Sequence, residues 1–246
     1  MVKYSVDSFS IDDINKGKII LVNKPINWSS FDVVKYIRKS LQHKFKIKKI
    51  RVGHAGTLDP LASGLLIICI GKQTKNISEF QGLPKTYTGK FKLGESTLSF
   101  DAETEVNEEF EYEHITIEDL KKLANEFIGI NMQKPPIFSA IKKDGIRLYA
   151  YARKNKKIEI DEREIHIYNF EILDFIPPFI KFKIKCSKGT YIRSIANDFG
   201  KRLNSGSYLY ELKRTKIGEF SVLNAIDIKL ILKLNIIFVL SLYNEI

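Results

Sequence analysis

The chain has 246 residues, of which 44% are hydrophobic, so it can bury a core large enough for one globular domain and is not expected to be disordered. Lys and Arg outnumber Asp and Glu by 40 to 29, which gives a formal net charge of +11. This surplus favours a polyanionic partner such as nucleic acid, although many basic proteins bind nothing acidic.

The cysteines and the chain ends bear on the cellular compartment in which the protein is expected. Cys69 and Cys186 lie in apolar runs without a Cys-x-x-Cys pair, which predicts buried thiols in a reducing environment. Residues 1–11 are too polar for a signal peptide, and the apolar tail at residues 226–243 is too short and too interrupted by charge to span a bilayer. We therefore expect a cytoplasmic protein without membrane association.

Strands and helices follow one another without regular alternation. Apolar runs and alternating patterns predict strands at residues 17–24, 64–71, 85–93, 165–175, 180–186 and 208–216. Helices are predicted from Ser29 or Ser30 to Leu41, from a Thr116–Asp119 capping box to Gly129, and at residues 190–203. This order favours an α+β fold rather than a βαβ array.

Two faces within these elements are predicted in more detail. On the first helix, Phe31, Val34, Ile37 and Leu41 are expected to form the buried side. In the strand at residues 180–186, apolar residues alternate with lysines, so the apolar side should be buried and the lysines exposed.

Charge is distributed unevenly along the chain. Residues 35–51 contain eight Lys or Arg and no acid, residues 93–120 contain ten acids and no Lys or Arg, and residues 181–216 are basic again. The pattern predicts a polarised surface, with the alternative that each stretch is only a solvated face.

A glycine-punctuated loop precedes the strand at residues 64–71. Its sequence from Val52 to Gly64 is VGHAGTLDPLASG, and Pro60 biases Asp59 toward an extended conformation. A carboxylate at the mouth of a buried strand is well placed to meet a substrate. The alternative is a turn in which Asp59 bonds its own backbone.

A second segment, CSKGTYIRSIANDFG at residues 186–200, joins a basic strand to a helix. It places Arg193 in the first helical turn, where the helix dipole disfavours positive charge. An anionic partner would explain the arginine, either Asp59 or an RNA phosphate. An ordinary surface arginine is the remaining alternative.

These segments carry a family resemblance. Residues 52–65 resemble the catalytic loop of the TruB-type tRNA pseudouridine synthases, and four further segments resemble the same family in the same order. They are NKPINWSS (23–30), KTYTGKFKLG (85–94) running on to Asp101, QKPPIFSAIK (133–142) with residues 149–153, and residues 186–200 followed by LKRT (212–215). The resemblance covers roughly residues 17–220.

The resemblance implies a pseudouridine synthase fold, with a central, mainly antiparallel mixed sheet flanked by helices. It implies that uridine 55 in the T-loop of tRNA is flipped out, detached, rotated and rejoined through carbon. Asp59 matches the essential aspartate, Tyr87 an active-site tyrosine, and Arg193 the arginine that pairs with the aspartate. An ionised Asp59 beside an arginine suits such a pocket.

Four further residues are implied to bind the substrate. His54 matches a histidine near the displaced nucleotide, Tyr191 a second active-site tyrosine, and Leu212 an apolar wall of the pocket. Lys24 lies in the first resembling segment. Asn27 stands where the family usually has Gly, and Asn tolerates positive φ better than most residues.

No cofactor or metal is expected. The four histidines show no metal-ligand spacing, and no phosphate-binding glycine loop is present. Residues 221–246 are too few for the C-terminal RNA-binding PUA domain of many relatives, so residues 1–246 are predicted to form a single catalytic domain. We expect tRNA, through its T-stem-loop, as the partner of a monomer without an obligate protein partner. The alternatives are a non-catalytic tRNA-binding or folding module and a synthase acting on other RNA.

Overall fold

A computed structural model of the protein describes residues 10–154 and 158–228. The predicted apolar tail beyond residue 228 and the first nine residues lie outside this range. The described residues divide into two compact units, one formed by those up to Lys85 and from Lys213, the other by those within Thr86–Leu212. The single catalytic domain stays a prediction.

Helices and strands alternate irregularly along the described residues. The helices are α1 (Ile11–Lys16), α2 (Ser30–Phe45), α3 (Ile77–Gly82), α4 (Ile117–Glu126), α5 (Leu148–Ala152) and α6 (Ile192–Arg202). The strands are β1 (Lys18–Lys24), β2 (Val52–His54), β3 (Ala62–Ile70), β4 (Lys85–Leu93), β5 (Glu95–Thr97), β6 (Val106–Glu109), β7 (Gly129–Gln133), β8 (Lys142–Lys143), β9 (Ile146–Arg147), β10 (Arg163–Ile176), β11 (Phe179–Cys186), β12 (Ser207–Ile217), β13 (Phe220–Ser221) and β14 (Ile226–Asp227). Short 3-10 turns occupy Gly71–Asn76 and Val222–Asn224.

The first unit is built around β3, which pairs antiparallel with β1 and β2. Strand β1 also pairs with β14, in parallel, and β12 pairs antiparallel with β13. Alternate residues of β3 are buried on both of its faces: Leu66, Ile68 and Ile70 pack with α2, whereas Leu65 and Ile67 pack with Ile217 and its neighbours. This burial on both faces explains the uninterrupted apolar run in the sequence.

Helix α2 begins as predicted but turns a different face inward. Ser29 is its N-cap, and Ser29 and Asp32 exchange the two hydrogen bonds of a capping box. The prediction that Phe31 is buried is wrong, because its side chain is 61% exposed. Ser30 points inward instead and bonds Leu58, and this contact rotates the next residue outward. Val33 takes the predicted place of Phe31 in the core.

In the second unit, helices cover the apolar face of the sheet. Strand β10 pairs antiparallel with β11 and β7, and β11 shows the predicted alternation, with Ile180, Phe182, Ile184 and Cys186 buried. An aromatic cluster fills the space between this sheet and the ends of α4 and α6. Its members are Phe91, Phe127, Phe170, Phe182 and Phe199, with ring centroids 4.1 to 6.4 Å apart.

These features confirm the fold-class prediction. The sheet pairings are mixed and mostly antiparallel, and helices accompany them, so the fold is α+β. As predicted, Cys69 and Cys186 are buried thiols that form no disulfide, and burial raises the pKa of Cys69 to about 11. None of the helices in the described residues is both long and apolar enough to cross a bilayer.

Candidate active site

Asp59 lies where the sequence placed it, on the loop between β2 and β3. Its side chain is half-buried, and its carbonyl accepts a hydrogen bond from Ala62 N at 3.1 Å, just where β3 begins. The carbonyl of Pro60 accepts a bond from Asn27 N at 2.8 Å. Asn27 has φ 67°, so the expectation that Asn could replace Gly at this turn is confirmed.

A buried arginine holds the loop before Asp59. Arg214, on β12, is only 1% exposed and donates to the carbonyls of Leu65 at 2.8 Å, Gly56 at 3.0 Å and Thr57 at 3.3 Å. One planar guanidinium thereby fixes both the loop and the strand that follows it. The sequence marked Arg214 only as part of the LKRT segment and gave it no role, because its charge alone does not distinguish it from exposed neighbours such as Lys213.

Two further buried polar side chains support the same loop. Ser30 Oγ accepts from Leu58 N at 2.8 Å and donates to Leu58 O at 3.0 Å. Lys24 Nζ donates to the carbonyls of Pro25 at 2.9 Å, Trp28 at 2.5 Å and Pro60 at 3.4 Å. Residues on both sides of Asp59 are therefore held by side chains from β1, α2 and β12, which is how a carboxylate is preorganised.

The pKa of Lys24 differs from that of an exposed lysine. Burial lowers its pKa to about 8, while the nearby Asp59 carboxylate acts in the opposite direction by favouring the charged ammonium. Its three carbonyl contacts show that it supports the loop. Its predicted role in substrate binding stays a prediction.

His54 lies at the end of β2 and has a ring nitrogen that lacks a hydrogen-bond partner among the described residues. Its side chain is half-buried, and the nitrogen is Nδ1. Burial, and next the positive charge of Arg214, lower the pKa of His54, and both favour the neutral ring. A neutral imidazole with an unsatisfied nitrogen suits contact with a polar group of a bound nucleotide.

In the second unit, Arg193 is buried in the first turn of α6. The side chain is 4% exposed, which excludes an ordinary surface arginine. Its Nε lies 3.5 Å from Asp101 Oδ2, close enough for an ion pair but without hydrogen-bond geometry, and Nη1 donates to Phe138 O at 3.0 Å. The anionic partner seen within this unit is thus Asp101. The predicted pairing of Arg193 with Asp59 stays a prediction.

Asp101 is itself held in place, although the sequence showed it only as the end of a resembling segment. Its Oδ1 accepts from Ser99 Oγ at 2.6 Å and from Glu103 N at 3.0 Å. A carboxylate fixed by two donors can in turn fix the arginine.

Tyr191 is the N-cap of α6 rather than a residue of its first turn. Gln133 fixes its backbone, accepting from Tyr191 N at 2.8 Å and donating to Tyr191 O at 3.0 Å. The Arg163 guanidinium lies over the Tyr191 ring, 4.7 Å from the centroid. Sequence reasoning missed Gln133 as the residue that orients Tyr191.

The remaining predicted residues lie on strands. Tyr87 is on β4 with its side chain 8% exposed, and Leu212 is half-buried on β12. Among the described residues, no three His, Cys, Asp or Glu side chains come together as a metal site.

Solved structures show which class of protein has this fold. One chain, in the structure titled "Crystal Structure of a Cbf5-Nop10-Gar1 Complex", aligns with 90% of this chain at a TM-score of 0.65 and 26% identity. Another, in "Structure of H/ACA RNP bound to a substrate RNA containing 2'-deoxyuridine", aligns with 91% at a TM-score of 0.64 and 24% identity. This chain spans 55% of each of those chains. The fold is that of the pseudouridine synthases.

Sequence comparisons define the family. Residues 42–192 match the TruB family pseudouridylate synthase (N terminal domain). A protein of Flavobacterium johnsoniae named tRNA pseudouridine synthase B is 54% identical over 216 residues, covering 87% of this chain and 94% of that protein. A protein of the same name from Parabacteroides distasonis is 48% identical over 210 residues, covering 85% and 89%. The chain therefore belongs to the TruB family of pseudouridylate synthases.

Proposed function

We propose that this protein is a tRNA pseudouridine synthase that converts uridine 55 of the T-loop to pseudouridine. The observation that carries the proposal is the 54% identity to a tRNA pseudouridine synthase B across 94% of that protein's length. The braced Asp59 loop supports it, because such a loop presents a carboxylate in a fixed position.

The reaction is an isomerisation in which atoms balance without a co-reactant. The C1′–N1 bond of the uridine breaks, the uracil rotates, and a C1′–C5 bond forms. The proton lost from C5 is matched by the proton gained at N1. No electron donor, acceptor or energy source is consumed, so we propose that the enzyme needs no cofactor or metal.

We propose a role in the reaction for each candidate residue. The target base must leave the stack at a cost of about a few kcal/mol, and stacking on Tyr87 offsets part of it. Asp59 attacks or stabilises the sugar carbon as the glycosidic bond breaks. Arg193 keeps the carboxylate ionised and oriented, as the family resemblance implies.

The detached uracil must be retained until it rejoins the sugar. We assign this to Tyr191 and Leu212, which supply an aromatic and an apolar wall, with His54 and Lys24 toward the displaced nucleotide. The partner is the T-stem-loop of tRNA, bound by a monomeric enzyme in the cytoplasm.

An unmodified tRNA transcript tests the proposal. The transcript is folded in advance, incubated with the protein in excess EDTA, and mapped for pseudouridine at single-nucleotide resolution. We expect stoichiometric pseudouridine at position 55 alone. Tight binding without any pseudouridine would instead support the non-catalytic RNA-binding module, and activity restored specifically by a metal would refute the metal-free reaction.

A further inference from the structure

The solvent face of α2 carries an aromatic residue followed by lysines. Phe31 is 61% exposed, and Lys35 and Lys39 follow at four-residue intervals, both exposed. Residues four apart are neighbours on a helix surface, so these three form one continuous row. The row begins beside the Asp59 loop, because Ser30 bonds Leu58.

The loop after α2 extends this row with more lysines. Phe45, Ile47 and Ile50 pack partly buried against the core of the first unit, whereas Lys46, Lys48 and Lys49 are exposed. The loop is tied to the helix by Gln42, whose carbonyl accepts from Ile47 N at 3.1 Å and whose Nε2 donates to Lys48 O at 2.7 Å. The lysines are therefore presented by an anchored backbone.

Lys35 has an acidic neighbour, Asp32, one helical turn earlier, whereas the other lysines lie in a stretch without acids. No Asp or Glu occurs between Val33 and Leu58. In the part of the chain that the structure describes, no ion pair involves Lys39, Lys46, Lys48 or Lys49. The helix dipole favours cations at the last turn of α2, but it does not reach Lys35 or Lys39. A cluster of like charges held in this way favours a polyanion.

The position of the lysines on α2 selects the part of the polyanion that they meet. From Ser30, beside the Asp59 loop, to Gln42, beside Lys48, the helix rises about 18 Å, at about 1.5 Å per residue. A nucleotide at Asp59 cannot also reach Lys48. The far lysines can therefore be reached only by RNA that continues away from the target loop.

We propose that Phe31, Lys35, Lys39, Lys46, Lys48 and Lys49 form a second RNA-contact surface, the α2 stripe, which binds the phosphates of a helical stem outside the target loop. The inference rests on the proposed function for its substrate. Phe31 contacts a base or ribose next to the loop, which accounts for its exposure, and the lysines follow the backbone of the stem. The stripe adds affinity and register without reading the sequence.

Matched lysine pairs test the surface. Lys48→Gln with Lys49→Gln removes two cations from the stripe, and Lys121→Gln with Lys122→Gln removes two equally adjacent, exposed cations from α4. Affinity for a tRNA transcript is measured across salt concentrations. Each lost phosphate contact lowers the slope of log K against log salt by about 0.7–0.9, so the first pair should lower it by about 1.5. The α4 pair should leave it unchanged.

Adding Lys39→Gln and Lys46→Gln should double the effect on the slope, to about 3. An unchanged slope for the stripe variants, or an equal change for the α4 pair, would overturn the proposal.

Stem length supplies a second measurement. RNA hairpins with the same target loop and stems of about 3 or about 9 base pairs span roughly 9 or 27 Å, at roughly 3 Å per pair. We expect the wild type to bind the long hairpin at least about tenfold more tightly, and the fourfold lysine variant to lose most of this gain. An equal gain for both proteins would refute the stripe.

Formation of pseudouridine by the wild type in either hairpin is recorded separately. Its absence would count against the proposed function, whereas the binding comparison decides the stripe.

Discussion

Replacing Arg214 tests whether the buried guanidinium holds the Asp59 loop. Arg214→Met keeps much of the side-chain volume but removes the donors to Gly56, Thr57 and Leu65. A buried acceptor left without a partner costs about 1–3 kcal/mol, and the three costs are not additive, so we expect a loss of about 3–5 kcal/mol in the free energy of unfolding. Arg214→Lys should lose less, because one ammonium can still serve one or two carbonyls.

The same change should slow the reaction more than it weakens RNA binding. A displacement of about 1 Å in a positioned group costs on the order of a hundredfold in rate, and Gly56 and Thr57 are close to Asp59 in the chain. Urea unfolding gives the stability, and single-turnover pseudouridine formation at saturating enzyme gives the rate. Lys213→Met is the matched control, since it removes the same charge from an exposed neighbour. If Arg214→Met were as stable and as fast as Lys213→Met, the bracing argument would be wrong.

Gly64→Ala should lower the free energy of unfolding by about 2–4 kcal/mol, because Gly64 has φ 109° and an added Cβ would lie 2.3 Å from a β12 carbonyl oxygen. Gly82→Ala is the control, because the space around Gly82 is open, and its free energy of unfolding in urea should be within about 1 kcal/mol of wild type. Lys24 keeps its proton up to its ordinary pKa of 10.5 in the unfolded chain, whereas the folded protein releases it at about 8. The stability of wild type relative to Lys24→Met should therefore rise between these two pH values, by up to about 3 kcal/mol. A stability difference that does not change with pH would contradict the lowered pKa. Arg193→Lys should keep the fold by circular dichroism yet slow single turnover on the order of a hundredfold, because a point charge cannot hold the Asp101 carboxylate and the Phe138 carbonyl as a planar fork does. An unchanged rate would remove Arg193 from the site.

The local patterns of the sequence predicted the longer elements, whereas helices α1, α3 and α5 and the short strands were not predicted. The capping boxes at Ser29 and Thr116 marked the starts of α2 and α4, because these bonds join residues only three apart. The doubly buried β3 and the alternating β11 followed from their apolar patterns. The burial predicted for Phe31 was wrong, because the tertiary bond between Ser30 and Leu58 fixes the rotation of α2 and periodicity alone does not.

The support around the candidate site could not be predicted in the same way. Arg214 contacts residues more than 140 positions earlier in the chain, and Asp101 meets Arg193 across about 90 positions. Such partners are set by the tertiary fold, so single residues such as Asp59 could be proposed from a motif while their supporting contacts could not.

The most direct test of the account compares wild type with Asp59→Asn on an unmodified tRNA transcript, measuring pseudouridine at position 55 and RNA affinity in the same preparation. The substitution keeps the shape of the side chain and removes the charge that the chemistry requires. We predict stoichiometric pseudouridine with wild type and none with Asp59→Asn, while the Kd for tRNA changes by less than about tenfold, since one loop carboxylate contributes little to phosphate binding. Pseudouridine formed by Asp59→Asn at the wild-type rate, or an equal loss of binding and turnover, would contradict the assignment of Asp59 as the catalytic carboxylate.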